Sequence, residues 1–368
     1  MFFYKAVLAC FLVVFSANFV HGTLASDFPT AQKVFKDGSD PMLITLTYLS
    51  YLEFDKQDDF KMYKLMYGLD ADKKKKLTEY LESEKESYAT QGWNLDFLDV
   101  GKGFFSNQDS PGVVIASKCD QKTCEVKIAF RGTRSLDDWG NNLNFLKTPL
   151  RFVDTHIDKS EYEGFYKAGQ VHQGFLKAYN TVSQTISDKL DALRRRNFGA
   201  RFLIRIGGHS LGGSLATLCA AHIAMKFKKD QHHMIHLETY GSPRTLGEKL
   251  SAELTTVLGP ENIMRFVNKD EKKAQDMVTL IPLEAILTAQ FRHVGEACLL
   301  TPKGSEIYEG FPKIKVLRTP HRIEGYKVAY QNQRQCILEE KAPEKKTEFL
   351  KKLMLPRNKG ASIQSSSQ

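Results

Sequence analysis

The sequence predicts an α/β fold, a mainly parallel central sheet flanked by helices. Three observations carry this. Short apolar, β-branched runs alternate with helical stretches along most of the chain, the pattern that packs helices on both faces of a parallel sheet. One such run, Phe202 to Ile206, enters Gly-Gly-His-Ser-Leu-Gly-Gly and then a stretch of small and apolar residues reaching Ala224. That is a strand-to-helix turn with no room for side chains at its flanks. The chain has 368 residues, 42% hydrophobic and 26% charged, ample for one large core, and no internal repeat or linker divides its middle.

The N-terminus stands apart. MFFYKAVLACFLVVFSANFVHG has one lysine, an apolar run from Ala6 to Phe15, and Val20 and Gly22 at the −3 and −1 positions of a cleavage site. Residues 1–22 read as a cleaved secretory signal. The alternative is a membrane anchor, but the run is shorter than the roughly 20 residues a span needs. Removing it takes one lysine and no acid, so the formal charge falls from +9 to +8.

Asp40 to Phe54 has a capping Asp, a Pro at the first helical position and apolar residues at helical spacing. Asp70 to Tyr88 is a charged surface helix, its lysine run a solvated face rather than an anion site. NLDFLDV, GVVIASK and EVKIAFRGT read as strands, and Gly174 to Arg196 as a helix. After the Gly-Ser turn and its helix come a strand at MIHLETYGSP, a helix from Leu246 to Leu258, and strands at IMRFVNK, HVGEACLL and IKVLRT. A helix from Arg322 to about Gln333 follows. The domain is placed at residues 23–340. The lysine-rich tail 341–368, ending GASIQSSSQ, reads as disordered.

Cysteine usage fits an oxidising compartment. Cys10 lies in the signal. Cys219 sits in the apolar helix and reads as a buried thiol. CDQKTC looks like a hairpin closed by a Cys119–Cys124 bridge, which leaves Cys298 with Cys336; four cysteines allow three pairings. Zinc at CxxxxC lacks a second pair of ligands, and no metal or cofactor is expected.

Gly208, Ser210 and Gly212 form a G-x-S-x-G nucleophile elbow, which holds the serine in strained backbone and pushes its Oγ into a cleft. A serine hydroxyl needs a histidine base, and the histidine needs an acid to fix its tautomer. In the order Ser, acid, His, both lie downstream. His321, on the turn before the last helix, is favoured over His293, which reads as a structural hydrogen-bonding histidine. The sharp turn points His209 away from the cleft. His232, His233 and His236 read as a polar loop before a strand. Asp270 and Asp276 compete for the acid.

These blocks together resemble the fungal-type (class 3) lipases, a branch of the α/β hydrolases. The resemblance runs from about residue 40 to 335. It rests on Phe130-Arg131-Gly132-Thr133, on Asp138-Trp139 with Asn142-Leu143, and on Val171-His172-Gln173-Gly174-Phe175 with Ala178-Tyr179. The unbroken GHSLGG and Tyr240 to Arg244 complete it. Asp276, Val278 and Pro282 keep the family's spacing around the acid, which favours Asp276. Several residues are inserted after Asn268, and Thr279 stands where a proline is usual. His293, Gly295 and Glu296 match a non-catalytic family element.

The resemblance implies an oxyanion hole from the backbone N–H groups of Leu211 and Thr133. It also implies a lid in the segment between Trp139 and His172, whose apolar residues include Leu143, Phe145, Leu146, Leu150, Phe152 and Val153. The implied function is a secreted serine carboxylic-ester hydrolase acting on acylglycerols at a lipid–water interface, or in the lumen of a secretory or digestive compartment. The alternatives are a phospholipase A1, a feruloyl-type esterase and, further off, a non-catalytic lipid-binding relative. A peptidase on this fold is disfavoured by the FRGT and YGSPR blocks. Neither nucleic acid nor an obligate protein partner is expected.

Overall fold

The structure, a computed structural model, describes residues 31–34, 40–57, 70–98, 112–132, 146–154, 169–227, 233–269, 275–282, 291–300, 321–332 and 335–338. The signal, the IKVLRT strand and the basic tail lie outside them, as do Thr133, Trp139, Leu143, Phe145, His232 and Asp270.

In chain order the elements are β1 (Ala31–Val34), α1 (Pro41–Gln57), α2 (Ala71–Thr90), β2 (Asn94–Leu98), β3 (Val113–Cys119) and β4 (Thr123–Phe130). There follow β5 (Lys147–Pro149), β6 (Gln170–His172), α3 (Gln173–Arg196), β7 (Arg201–His209), α4 (Leu211–Lys226) and β8 (His233–Tyr240). The last are β9 (Leu246–Gly247), α5 (Glu248–Leu258), β10 (Ile263–Asn268), β11 (Phe291–Arg292), β12 (Ala297–Leu300), α6 (Ile323–Asn332) and β13 (Gln335–Leu338).

The main sheet runs β1-β13-β12-β10-β8-β7-β4-β3-β2. Its middle, β4 to β12, is parallel, with antiparallel strands at both edges. Helices α3, α4 and α5 cover one face, and α1, α2 and α6 the other. β4 (TCEVKIAF) and β7 (RFLIRIGGH) alternate in burial over their first residues and are continuously buried toward their carboxyl ends, where both faces are covered. A parallel sheet gathers the carboxyl ends of its strands on one edge, where α/β folds build their sites. Here that edge receives Arg131-Gly132 after β4, Ser210 after β7, Gly241 after β8 and Asn268 at the end of β10.

Asp40 does more than cap α1. Its Oδ1 accepts the Met42 N–H at 3.0 Å, while Oδ2 pairs with the buried Lys127 of β4. Its own N–H donates to Glu238 of β8 at 3.0 Å. Burial, helped by the Asp40 charge, pushes the Glu238 carboxyl up to about 8. One residue thus ties α1 to β4 and β8, the strands on either side of β7.

Four expectations need correction. Leu246 and Gly247 are strand, not helix, because they pair with β6 and β11 in a second, four-stranded sheet β11-β9-β6-β5. His233 and His236 lie within β8 itself, not in a loop before it. HVGEACLL is not one strand: Gly295, at φ 73°, turns the chain between β11 and β12. Leu150 and Phe152 are not part of a mobile apolar face, since both are buried in the main core beside Tyr179 and Val171. Leu146 and Val153 are exposed at 59% each.

What fixes residues 150–154 is a buried polar cluster. Asp154 Oδ2 meets His222 Nε2 at 2.9 Å and accepts the Ser187 hydroxyl at 2.6 Å. Tyr179 Oη lies 2.8 Å from His222 Nδ1, and Phe152 stacks on the His222 ring at 4.6 Å. Lys226 donates to Ser187 Oγ at 2.6 Å and pairs with Asp191 at 2.8 Å.

Candidate active site

Ser210 is the one non-glycine residue with positive φ among the described residues (φ 58°, ψ −129°). Such backbone costs about 1–3 kcal/mol and persists only where its surroundings over-determine it. They do so here. Ser210 N–H donates to Tyr240 O at 3.0 Å, and Gly213 N–H donates to Ser210 O at 2.9 Å. A Cβ on Gly208 would run into the Gly212 carbonyl, and one on Gly212 into the carbonyl oxygens of Phe130 and Arg131. Both glycines are needed for β7 to hand over to α4 this closely.

His321 Nε2 lies 2.8 Å from Ser210 Oγ, and its Nδ1 lies 2.7 Å from Asp276 Oδ2. A carboxylate only accepts, so Nδ1 carries the proton and Nε2 is free to accept the serine hydroxyl. Ser210 is 2% exposed, His321 7% and Asp276 1%. The Asp276 carboxylate is held from two further sides. Oδ1 accepts the Val278 N–H at 3.0 Å, and Oδ2 also accepts the Tyr326 hydroxyl at 2.7 Å. Tyr326 Oη in turn accepts the Asn268 N–H at 3.0 Å. Burial and the Asp276 charge push the Tyr326 phenol well above its ordinary value, so it stays a donor.

The insertion after Asn268 does not move the acid. Asp276 N–H donates to Asn268 O at 2.9 Å, and Lys269 bridges Gln275, so Asp276 is held beside the end of β10. Asp276 is the carboxylate against His321 among the described residues, and Asp270 lies outside them. His293 is elsewhere: its Nε2 donates to Thr279 O at 2.7 Å, and its carbonyl accepts the Ser251 hydroxyl. His209 lies beneath the turn, buried, with Nδ1 on Tyr51 Oη at 2.8 Å and Nε2 on His321 O at 2.6 Å. Leu211 opens α4, where free N–H groups and the positive end of the helix dipole favour anions.

Tyr326 and Tyr51 escaped the sequence reading. Tyr326 sits one turn into the helix after His321, so its place was visible though its role was not. Tyr51, in the first helix, gave no signal. Cys119 and Cys124 are bonded across the β3–β4 hairpin. Cys298 is disulfide-bonded, and its strand β12 pairs with β13, which carries Cys336. Cys219 is a free thiol that burial pushes up to about 12.

A strained serine at the end of a parallel strand, followed in the chain by an acid and then a histidine, is the architecture of an α/β hydrolase. Within that class, residues 127–285 match the family described as lipase (class 3). Among curated proteins it is 28% identical over 209 residues to phospholipase A(1) DAD1, chloroplastic, of Arabidopsis thaliana, covering 54% of this chain and 44% of that one. It is 31% identical over 143 residues to secreted mono- and diacylglycerol lipase 1 of Fusarium solani (39% and 37%). It is 27% identical over 194 residues to a lipase of Rhizomucor miehei (52% and 46%). The matches thus span under half the length of these relatives. Among solved structures, the Rhizomucor miehei lipase propeptide complex aligns over 77% of this chain and 78% of that one, at 18% identity and a TM-score of 0.46.

Proposed function

We propose that the protein is a secreted serine carboxylic-ester hydrolase acting on acylglycerols, with Ser210 as nucleophile, His321 as general base and Asp276 as its orienting acid. The observation that carries this is the 2.8 Å approach of His321 Nε2 to Ser210 Oγ on a strained turn. His321 takes the serine proton as Oγ attacks the ester carbonyl, and Asp276 stabilises the imidazolium that forms. The N–H groups of Leu211 and Thr133 receive the oxyanion, each worth roughly 3 kcal/mol in the transition state. His321 then protonates the leaving alcohol, an acyl-enzyme forms on Ser210, and water activated by His321 releases the fatty acid.

The similarity to a secreted fungal lipase and the Cys119–Cys124 bridge support export, with residues 1–22 as the signal and the pairing of Cys298 with Cys336 as a second bridge. Leu143, Phe145 and Leu146 form the apolar face of a lid that turns outward at a lipid surface; the exposure of Leu146 fits this. The basic tail 341–368 favours anionic interfaces. A second reading, phospholipase A1, is favoured by the similarity to the Arabidopsis phospholipase.

A hydrolysis panel separates the two readings. Triolein, phosphatidylcholine and a short-chain ester are offered to the purified protein and to Ser210→Ala. The acylglycerol reading expects turnover of triolein above phosphatidylcholine and a rate that rises sharply past the substrate's solubility limit. Phosphatidylcholine as the better substrate selects the phospholipase, and hydrolysis of the short ester alone removes the lipid surface from the account.

A further inference from the structure

Below the reactive groups, a line of buried hydrogen bonds joins α1, the exit of β4, the end of β7 and the backbone of His321. Gly132, at the exit of β4, donates its N–H to Tyr51 Oη at 2.9 Å. Tyr51, on α1, lies 2.8 Å from His209 Nδ1. His209 Nε2 lies 2.6 Å from the carbonyl oxygen of His321. The direction of each bond follows from the atoms. A carbonyl only accepts, so His209 Nε2 carries the proton, and in the neutral ring Nδ1 must accept. Tyr51 therefore gives its one proton to His209 and uses a lone pair for Gly132.

Resting on the hydrolase reading above, we propose that His209 and Tyr51 are positioning residues. Their relay sets the distance between the backbone of Gly132 at the exit of β4 and the backbone of the general base His321. Neither touches the ester. Each acts by holding a main-chain group, Gly132 N–H at one end and His321 C=O at the other.

Three further observations fit a device that must not drift. First, the rings are packed against one another: His209 lies 4.7 Å from the His321 ring, 5.6 Å from Tyr326 and 5.8 Å from Tyr51. Second, a Cβ on Gly132 would run into Tyr51 Oη, His209 O and Ser210 Cβ, so the turn is seated directly on the relay. Third, burial, with the neighbouring His321 charge, holds His209 well below the usual histidine range. It stays neutral when His321 becomes a cation, so it keeps its tautomer through the cycle and adds no like charge beneath the base. Tyr51 and His321 both lie outside residues 127–285, so the relay bolts the matched domain to helices at either end of the chain.

The test is steady-state kinetics on a soluble short-chain ester, together with the rate of labelling by a fluorophosphonate, for Tyr51→Phe, His209→Phe, their double variant and His209→Gln. A displacement of about 1 Å at a reacting group costs on the order of a hundredfold. Expected for Tyr51→Phe and His209→Phe is a kcat loss of roughly ten- to hundredfold with KM within about twofold, and labelling slowed in proportion. The double variant loses no more than the worse single, because either change cuts the same line. His209→Gln, which retains one donor and one acceptor, regains part of the loss. A folded Tyr51→Phe with kcat within about twofold of the parent overturns the proposal, as do single losses that multiply in the double variant. If His209→Phe does not fold, Tyr51→Phe decides alone. Ser210→Ala run alongside separates the two levels: unchanged turnover and labelling there overturn the hydrolase reading itself.

Discussion

Two Asp–His pairs are buried among the described residues, each with a serine and a tyrosine beside it. At the sheet edge, Asp276 holds His321 Nδ1, Tyr326 holds the same carboxylate oxygen, and His321 Nε2 faces Ser210. Between helices α3 and α4, Asp154 holds His222 Nε2 and Tyr179 holds Nδ1. Residue types are the same and the distances match to within a few tenths of an ångström. The chemistry differs because the serines are wired differently. Ser187 donates to the carboxylate and accepts from Lys226, so both its proton and its lone pair are engaged and neither nitrogen of His222 is left for it. Ser210 sits on a strained turn at the start of a helix, with its hydroxyl on the base. A triad is therefore a matter of which atom the serine meets, and of donors waiting opposite, more than of composition. On the proposed reading the first cluster moves a proton, while the second anchors residues 150–154 to two helices.

Substitutions should separate the two. Ser210→Ala is expected to cost at least a thousandfold in kcat, and Asp276→Asn on the order of a thousandfold, with melting curves close to the parent's. If Asp276→Asn instead melted early and kept its turnover, the sheet-edge cluster would be an anchor like the other. Asp154→Asn should do the opposite. Removing one partner of a buried charged cluster costs about 3–5 kcal/mol, read from denaturant unfolding, while kcat of the folded fraction stays within about twofold. A turnover loss as deep as that of Asp276→Asn would erase the contrast.

A smaller effect tests neutrality in the helix layer. Burial holds His172, which caps α3, down to about 3, and lowers His222 as well. In the unfolded chain both take a proton near pH 6.5. Below that the unfolded state binds more protons, so His172 makes stability fall as the solution is acidified from about pH 6.5 toward 3, by roughly 1.4 kcal/mol per pH unit, and His222 acts in the same direction. His172→Asn keeps an N-cap acceptor but removes the titration, so its stability should fall less steeply over that window. An unchanged slope would mean that His172 is already protonated in the fold.

Much of the sheet-edge cluster was legible and almost none of the helix-layer one. The elbow announces itself because two glycines and a serine at fixed spacing meet a steric demand that nothing else satisfies. His321 could be read from its turn before the last helix, and Asp276 from its neighbours despite the insertion, since its N–H is held by Asn268 O. Asp154, Ser187 and His222 carry no such signature. They lie on a coil segment and two helices, and only the packing of α3 on α4 brings them together. Leu150 and Phe152 misled for the same reason. Apolar residues on a connecting segment look alike whether they cover a cleft or fill a core, and the difference lies in the Asp154 anchor at the segment's end. Leu246 reads as helix from its neighbours in the chain, while its strand pairing is supplied by residues far away in sequence.

The order of the site along the chain also has a consequence in time. Ser210 and His321 are separated by 111 residues, and the histidine comes last. At synthesis rates of about 5–20 residues per second, that stretch takes roughly 5–20 s to make. Throughout that interval a nascent chain can present the serine and its turn, and later Asp276, but has no base to set against them. On the proposed reading, sequence order alone delays turnover until His321 has been made, the last of the three groups to be added.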